Sequence, residues 1–145
     1  MTTGGPDPFC LRRFVDAQSG AYERAKTELL RGAKRSHWMW FMFPQLRGLG
    51  RSPAAVEFGI TGRAEAEAYL AHPLLGSRLR ELTGIVTAID GKSAHDIFGS
   101  PDDMKFHSSM TLFAVAAEDP SAFGAALERF YGGVHDPATV DMLGS

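Results

Sequence analysis

Apolar residues recur along this chain at spacings of three and four, the period of one helical face, and almost never in strict alternation. Leu11, Phe14, Val15 and Gln18 share one face of a first helix, ended by Ser19-Gly20. Tyr22, Ala25 and Leu29 carry a second, stopped at Gly32. Leu75, Leu79, Leu82, Val86 and Ile89 form a long stripe on a helix that starts at Pro73 and stops at Gly91. Phe106, Met110, Phe113 and Ala117 line another. Phe123, Leu127, Phe130 and Tyr131 line the next, stopped by Gly132-Gly133. Thr61 is placed to cap a short helix through Ala71, and Ser93 another through Phe98. Val and Ile are scarce, so no sheet is expected. The run Trp38-Met39-Trp40-Phe41-Met42-Phe43 has the content of a strand but no second strand to pair with.

The prolines sharpen this pattern. Six of the eight follow Asp, Ser or His and precede a helical stretch: Pro8, Pro53, Pro73, Pro101, Pro120 and Pro137. Proline at the first helical position loses no hydrogen bond, and Asp or Ser before it can accept one from a free backbone N–H. The expected architecture is all-α: a compact multihelical array of about six to eight helices with no sheet. It forms one domain over residues 7–145, behind a flexible lead-in over residues 1–6.

Composition narrows the functional classes. The 145 residues are 44% hydrophobic and 22% charged, ordinary for a globular chain, and the net charge of −2 offers no broad basic field for nucleic acid. The longest apolar run, Trp38 to Phe43, is far too short to span a membrane. The first residues lack the positive start and apolar stretch of a signal peptide, and a single cysteine, Cys10, excludes an internal disulfide. The expected location is the cytoplasm, with Cys10 a small buried hydrophobe rather than a reactive thiol.

Two stretches stand out as carriers of chemistry. The first, residues 34–50, holds both tryptophans, with Lys34, His37 and Gln45 among them. Two readings stay open: a packed aromatic plug, or an aromatic-walled pocket in which Lys34, His37, Trp38, Trp40 and Gln45 meet a ligand. The second, residues 99–113, places Asp102, Lys105, Ser108 and Ser109 on one side of a helix, opposite Phe106, Met110 and Phe113. Leu112 and Val115 continue nearby, so this helix is apolar nearly all round and belongs at the centre. A lysine and two serines there need a cleft or a partner, and Asp102 is the obvious one for Lys105. Ser100 with Asp103 fits a capping box. Lys105 beside Ser108 or Ser109 has the composition of a serine–lysine nucleophile, without the strained elbow that usually presents one.

Other motifs are weaker. His37, His72, His95, His107 and His135 stand at no recognised metal spacing, so no metal is expected, and no residue pattern names a cofactor. Gly48-Leu49-Gly50-Arg51-Ser52 precedes a helix at Pro53 and offers a phosphate a turn with Arg47 and Arg51 at hand, yet matches no nucleotide fingerprint.

These residues also carry a resemblance. Asp7-Pro8, Arg13-Phe14 and Ala17-Gln18 open it; His37-Trp38-Met39-Trp40 and Phe43-Pro44-Gln45-Leu46 follow. His72-Pro73, Asp102, Lys105, Ser108-Ser109-Met110-Thr111-Leu112-Phe113 and Asp136 complete it. The whole resembles the family called domain of unknown function 1810, from Asp7 to about Leu143. The resemblance implies a small multihelical bacterial protein and no established activity. Members are sometimes labelled calpastatin, but an inhibitor of that name would be disordered and poor in aromatics. Two functions therefore remain: a small-molecule site, for a nucleotide-like or otherwise anionic ligand, lined by 34–50 and 102–109; or a non-catalytic interaction module or homo-oligomer. His37, Trp40, Gln45, Lys105 and Ser109 are expected to converge on one cleft if the first holds.

Overall fold

Three prolines begin helices in the expected way. Pro53, Pro73 and Pro137 each occupy a first helical position behind a capping residue, Ser52, His72 and Asp136. His72 caps through its ring, whose Nδ1 accepts from the Leu74 and Leu75 amides. Pro101 and Pro120 instead sit one residue earlier, at the N-cap itself. Asp7 acts at longer reach, accepting from the Leu11 and Arg12 amides ahead of the first helix.

The computed structural model describes residues 7–144; the lead-in expected over residues 1–6 lies outside them. Within the described residues the chain is mostly helical, without strands, and holds ten helices rather than six to eight. They are α1 Arg12–Gln18, α2 Tyr22–Leu30, α3 Met39–Met42, α4 Pro53–Glu57 and α5 Arg63–Ala71. Then follow α6 Pro73–Thr87, α7 Ala94–Phe98, α8 Asp102–Ala116, α9 Ser121–Tyr131 and α10 Pro137–Leu143. The excess comes from single-turn pieces too short to show a period. The strand-like run at Trp38 is one of them, α3.

As its sequence predicts, α8 is central: α5, α7, α9 and α10 all pack on it, and eight of its residues are buried around the whole circumference. Aromatic rings fill the space on either side. Phe106 meets Phe43 edge-on at 5.1 Å and stacks on Phe98 at 4.6 Å. Phe113 lies between Tyr69 at 5.3 Å and Phe123 at 5.9 Å. A Cβ on Gly76 would collide with the Leu70 carbonyl, so only glycine allows α6 to fold back this closely on α5.

Polar side chains fix the peripheral elements. Arg13 donates to the Phe9, Cys10, Glu57 and Gly59 carbonyls and pairs with buried Glu65 at 2.8 Å. Glu65 also accepts from the Thr61 amide and hydroxyl; the N-cap of α5 is Gly62, with no side-chain cap, so Thr61 braces Glu65 rather than capping the helix as expected. Gln18 donates to the Phe41 carbonyl and the Tyr69 hydroxyl, tying α3 to α1 and α5. The loop after α3 is held by a parallel bridge between Leu46 and Ile60 and is bordered by α10, whose Met142 methyl crowds Gly48.

Candidate functional site

The chain leaving α2 turns back on it. Glu28, on the last turn of α2, accepts from the Arg35 amide, the Ser36 amide and hydroxyl, and the Trp38 indole. Burial raises this carboxyl, and those donors, the Ser36 hydroxyl foremost, more than reverse it, bringing it down to about 2. Nothing on α2 marks Glu28 in sequence; only the returning segment gives it a role. The Lys34 amide then donates to the Ile97 carbonyl at 2.8 Å, which sets Lys34 beside the start of α8.

From there a cluster of charges and rings assembles. The Lys34 ammonium stands 2.7 Å from one oxygen of Asp102, and the Lys105 ammonium 3.2 Å from the other. Lys34 also lies over the Trp38 ring at 5.3 Å, and Lys105 over the Trp40 ring at 4.3 Å. Burial raises the Asp102 carboxyl, but the two ammonium groups on it, Lys34 first, hold it below the ordinary carboxylate range. One carboxylate thus serves two cations, and the cluster keeps a net positive charge. The Lys34 side chain is 8% exposed and that of Lys105 16%.

Gln45 completes one side. It is 9% exposed, and its side-chain amide has no hydrogen bond among the described residues. The amide nitrogen and an edge of Trp40 both border Gly50: a Cβ there would stand 3.5 Å from Gln45 Nε2 and 4.0 Å from Trp40 Cζ3. Lys34, Trp38, Trp40, Gln45 and Lys105 are therefore linked through direct neighbours.

The remaining sequence candidates stand outside this set of contacts. His37 is exposed and makes no side-chain hydrogen bond among the described residues, and Cys10, expected to be buried, is exposed as well. Ser108 donates to the Met104 carbonyl and to Asp136, joining α8 to the cap of α10. Ser109, one turn beyond Lys105 on α8, is fully buried with its hydroxyl unpartnered. No serine–lysine pair forms, because Lys105 turns to Asp102 and Ser108 to Asp136. The expected Ser100–Asp103 capping box is absent; the box falls instead at Ser93 and Asp96, and Asp103 faces His95 at 3.5 Å. The glycine turn before α4 is no phosphate loop in this geometry: Ser52 caps that five-residue helix and Arg47 donates to the Val56 carbonyl.

Two other places compete with this cluster. An open groove of about 630 Å³ runs between Leu30 and Arg31 at the α2 end and Ile85 of α6 and Ile89 just beyond it. It shares no residue with the lysine cluster and contains no buried titratable group, so size alone does not make it the better site. On the opposite flank of α8, His107 stacks on Tyr131 at 3.9 Å and bonds the Val134 carbonyl, while the Tyr131 hydroxyl donates to the Asp103 carbonyl. Burial raises the Tyr131 hydroxyl, which is held as a structural donor. Among the described residues no three His, Cys, Asp or Glu side chains gather closely enough to hold a metal ion, and no helix is long and apolar enough to cross a membrane.

The fold and the cluster define a small all-helical protein with a half-buried cationic and aromatic surface. The model of the family described as protein of unknown function (DUF1810) matches residues 8–143, and the chain belongs to that family. It is similar to the conserved hypothetical protein Rv1873 from Mycobacterium tuberculosis, known from a crystal structure. The two are 55% identical, with a TM-score of 0.94 over 96% of this chain and 99% of that one. No curated protein matches the chain.

Proposed function

We propose that the protein is a cytosolic binding protein for a small anionic molecule, held by Lys34 and Lys105 against the Trp40 ring. The observation behind this is the mismatch at Asp102. Each ammonium carries three N–H donors. Lys34 directs one of them to Asp102 from a nearly covered position, and Lys105 does the same. Covered donors without acceptors are costly, and two cations on one carboxylate leave positive charge that an anion would neutralise. The Trp40 ring lowers the local dielectric without competing for those donors, so a bound anion gains more there than on open surface.

Titration calorimetry of the full chain with inorganic phosphate and with simple carboxylates tests the proposal. Saturable 1:1 binding is expected, lost at least tenfold in Lys105→Met and in Lys34→Met. Affinities that are the same in both variants as in the wild type would remove the lysine pair from the reading.

A further inference from the structure

Resting on that reading, the geometry points to a carboxylate as the anion, a monocarboxylic acid held by its charged end in preference to a doubly charged phosphate or sulfate. Two observations carry this. The first is how Asp102 sits between the lysines. Lys34 Nζ stands 2.7 Å from one of its oxygens and Lys105 Nζ 3.2 Å from the other, so each ammonium takes one oxygen of a single carboxylate. The separation of the two nitrogens is therefore one that a carboxylate bridges. An ammonium has three N–H donors and no acceptor, so both nitrogens keep donors for a second carboxylate, and the same spacing suits it. Solvent reaches all three side chains, 8% of Lys34, 16% of Lys105 and 20% of Asp102, so a headgroup of a few atoms can meet them from outside.

The second observation is the count of fixed charge. Burial opposes ionisation of Asp102, and the two ammonium groups outweigh it, so the carboxylate keeps its charge. Two positive charges against one negative leave a single positive charge to be answered, and one further carboxylate answers it. A dianion would overshoot. Its second negative charge would stand against Asp102 in a largely covered place, where like charges are poorly screened. Glu28 adds to that cost from behind Trp38. Its carboxylate accepts from the Trp38 indole N–H, and the Lys34 ammonium stands over that same ring at 5.3 Å. Glu28 is ionised as well, because its donors outweigh burial and bring it down to about 2. Discrimination thus comes from the two protein carboxylates, which penalise a doubly charged ligand more than a singly charged one.

Calorimetry on the full chain with acetate, sulfate and chloride, in a zwitterionic buffer at neutral pH where their charges are fixed, tests this. Acetate is expected to bind at least ten times more tightly than sulfate. Chloride, singly charged but without two oxygens to bridge the lysines, should also fall at least tenfold below acetate. Asp102→Asn keeps the side-chain shape and removes one negative charge, and it should shift the acetate-to-sulfate ratio at least tenfold towards sulfate. Should that variant fold poorly, the wild-type ratios decide alone. Sulfate or chloride binding as tightly as acetate overturns the carboxylate assignment while the anion site survives. A ratio unchanged in folded Asp102→Asn overturns the charge count as its cause. If none of the probes binds, the class and the site both fall.

Discussion

Glu28 and Asp102 are two acids reached by the same short segment, residues 34–38, and they are used in opposite ways. Glu28 is one anion among neutral donors: two amides, a hydroxyl and an indole N–H close around it. That arrangement is complete and has nothing left to offer a ligand. Asp102 is one anion between two ammonium groups, each with donors to spare. The first fixes the course of the chain, and the second leaves a charge unanswered. A buried carboxylate therefore says little by itself; what separates a brace from a site is whether donors and acceptors around it balance.

The sharpest attack on this comparison is Glu28→Ala, expected to cost about 3–5 kcal/mol because several donors, the buried Trp38 indole among them, lose their acceptor. Urea denaturation measures it, with Phe113→Ala as the yardstick, since truncating a fully buried aromatic also costs about 3–5 kcal/mol. If Glu28→Ala unfolds within about 1 kcal/mol of wild type, the size of one ordinary hydrogen bond, Glu28 is dispensable and the contrast is erased.

Acid is a gentler probe. The folded Glu28 carboxyl is lowered to about 2, so its stabilisation is complete above the unfolded value of 4.5 and is lost as pH falls from there towards 2. Denaturation midpoints followed from about pH 6 to about pH 3 should decline in the wild type and decline less in Glu28→Gln. Asp102 is lowered as well and contributes in the same direction, so some decline persists in that variant.

Smallest of all is the stability effect of Lys105→Met. A partly covered ion pair and one ring contact together contribute on the order of 1 kcal/mol, and the methionine recovers part of the packing. Thermal unfolding should barely move while anion binding collapses. Comparable losses in both would make Lys105 another brace.

Much of the scaffold is legible in the residues themselves. The stripes at Leu75 and Phe106, and the proline starts at Pro53, Pro73 and Pro137, each require only local physics. Short-range rules fail where a pattern occurs twice. Ser93–Asp96 and Ser100–Asp103 share the same spacing, but α8 takes Pro101 as its N-cap, which leaves Ser100 outside the helix and the box to the first pair alone. The helices α3, α4 and α7 span about one turn each, too little for a period. Site residues divide the same way. Trp40 and Lys105 draw attention by being out of place in their surroundings, and Asp102 by its spacing to Lys105. Glu28 and the Lys34–Asp102 contact depend on a chain reversal that no nearby residue announces.

The two tryptophans, two residues apart, also give the protein an optical vocabulary. Trp38 is sealed, 1% exposed, with its indole N–H on a carboxylate, so its emission should stay blue and resist iodide until the fold opens. Trp40 is half-buried with an ammonium against its ring, and its emission should shift whenever that charge is neutralised or displaced. The Lys34 ammonium also stands over Trp38, at 5.3 Å against 4.3 Å for Lys105 on Trp40, so the Trp40 emission is the more sensitive reporter of occupancy and iodide access to Trp38 reports the integrity of the chain. With Trp40→Phe and Trp38→Phe to separate the signals, a single cuvette distinguishes a molecule that has lost its ligand from one that has lost its shape.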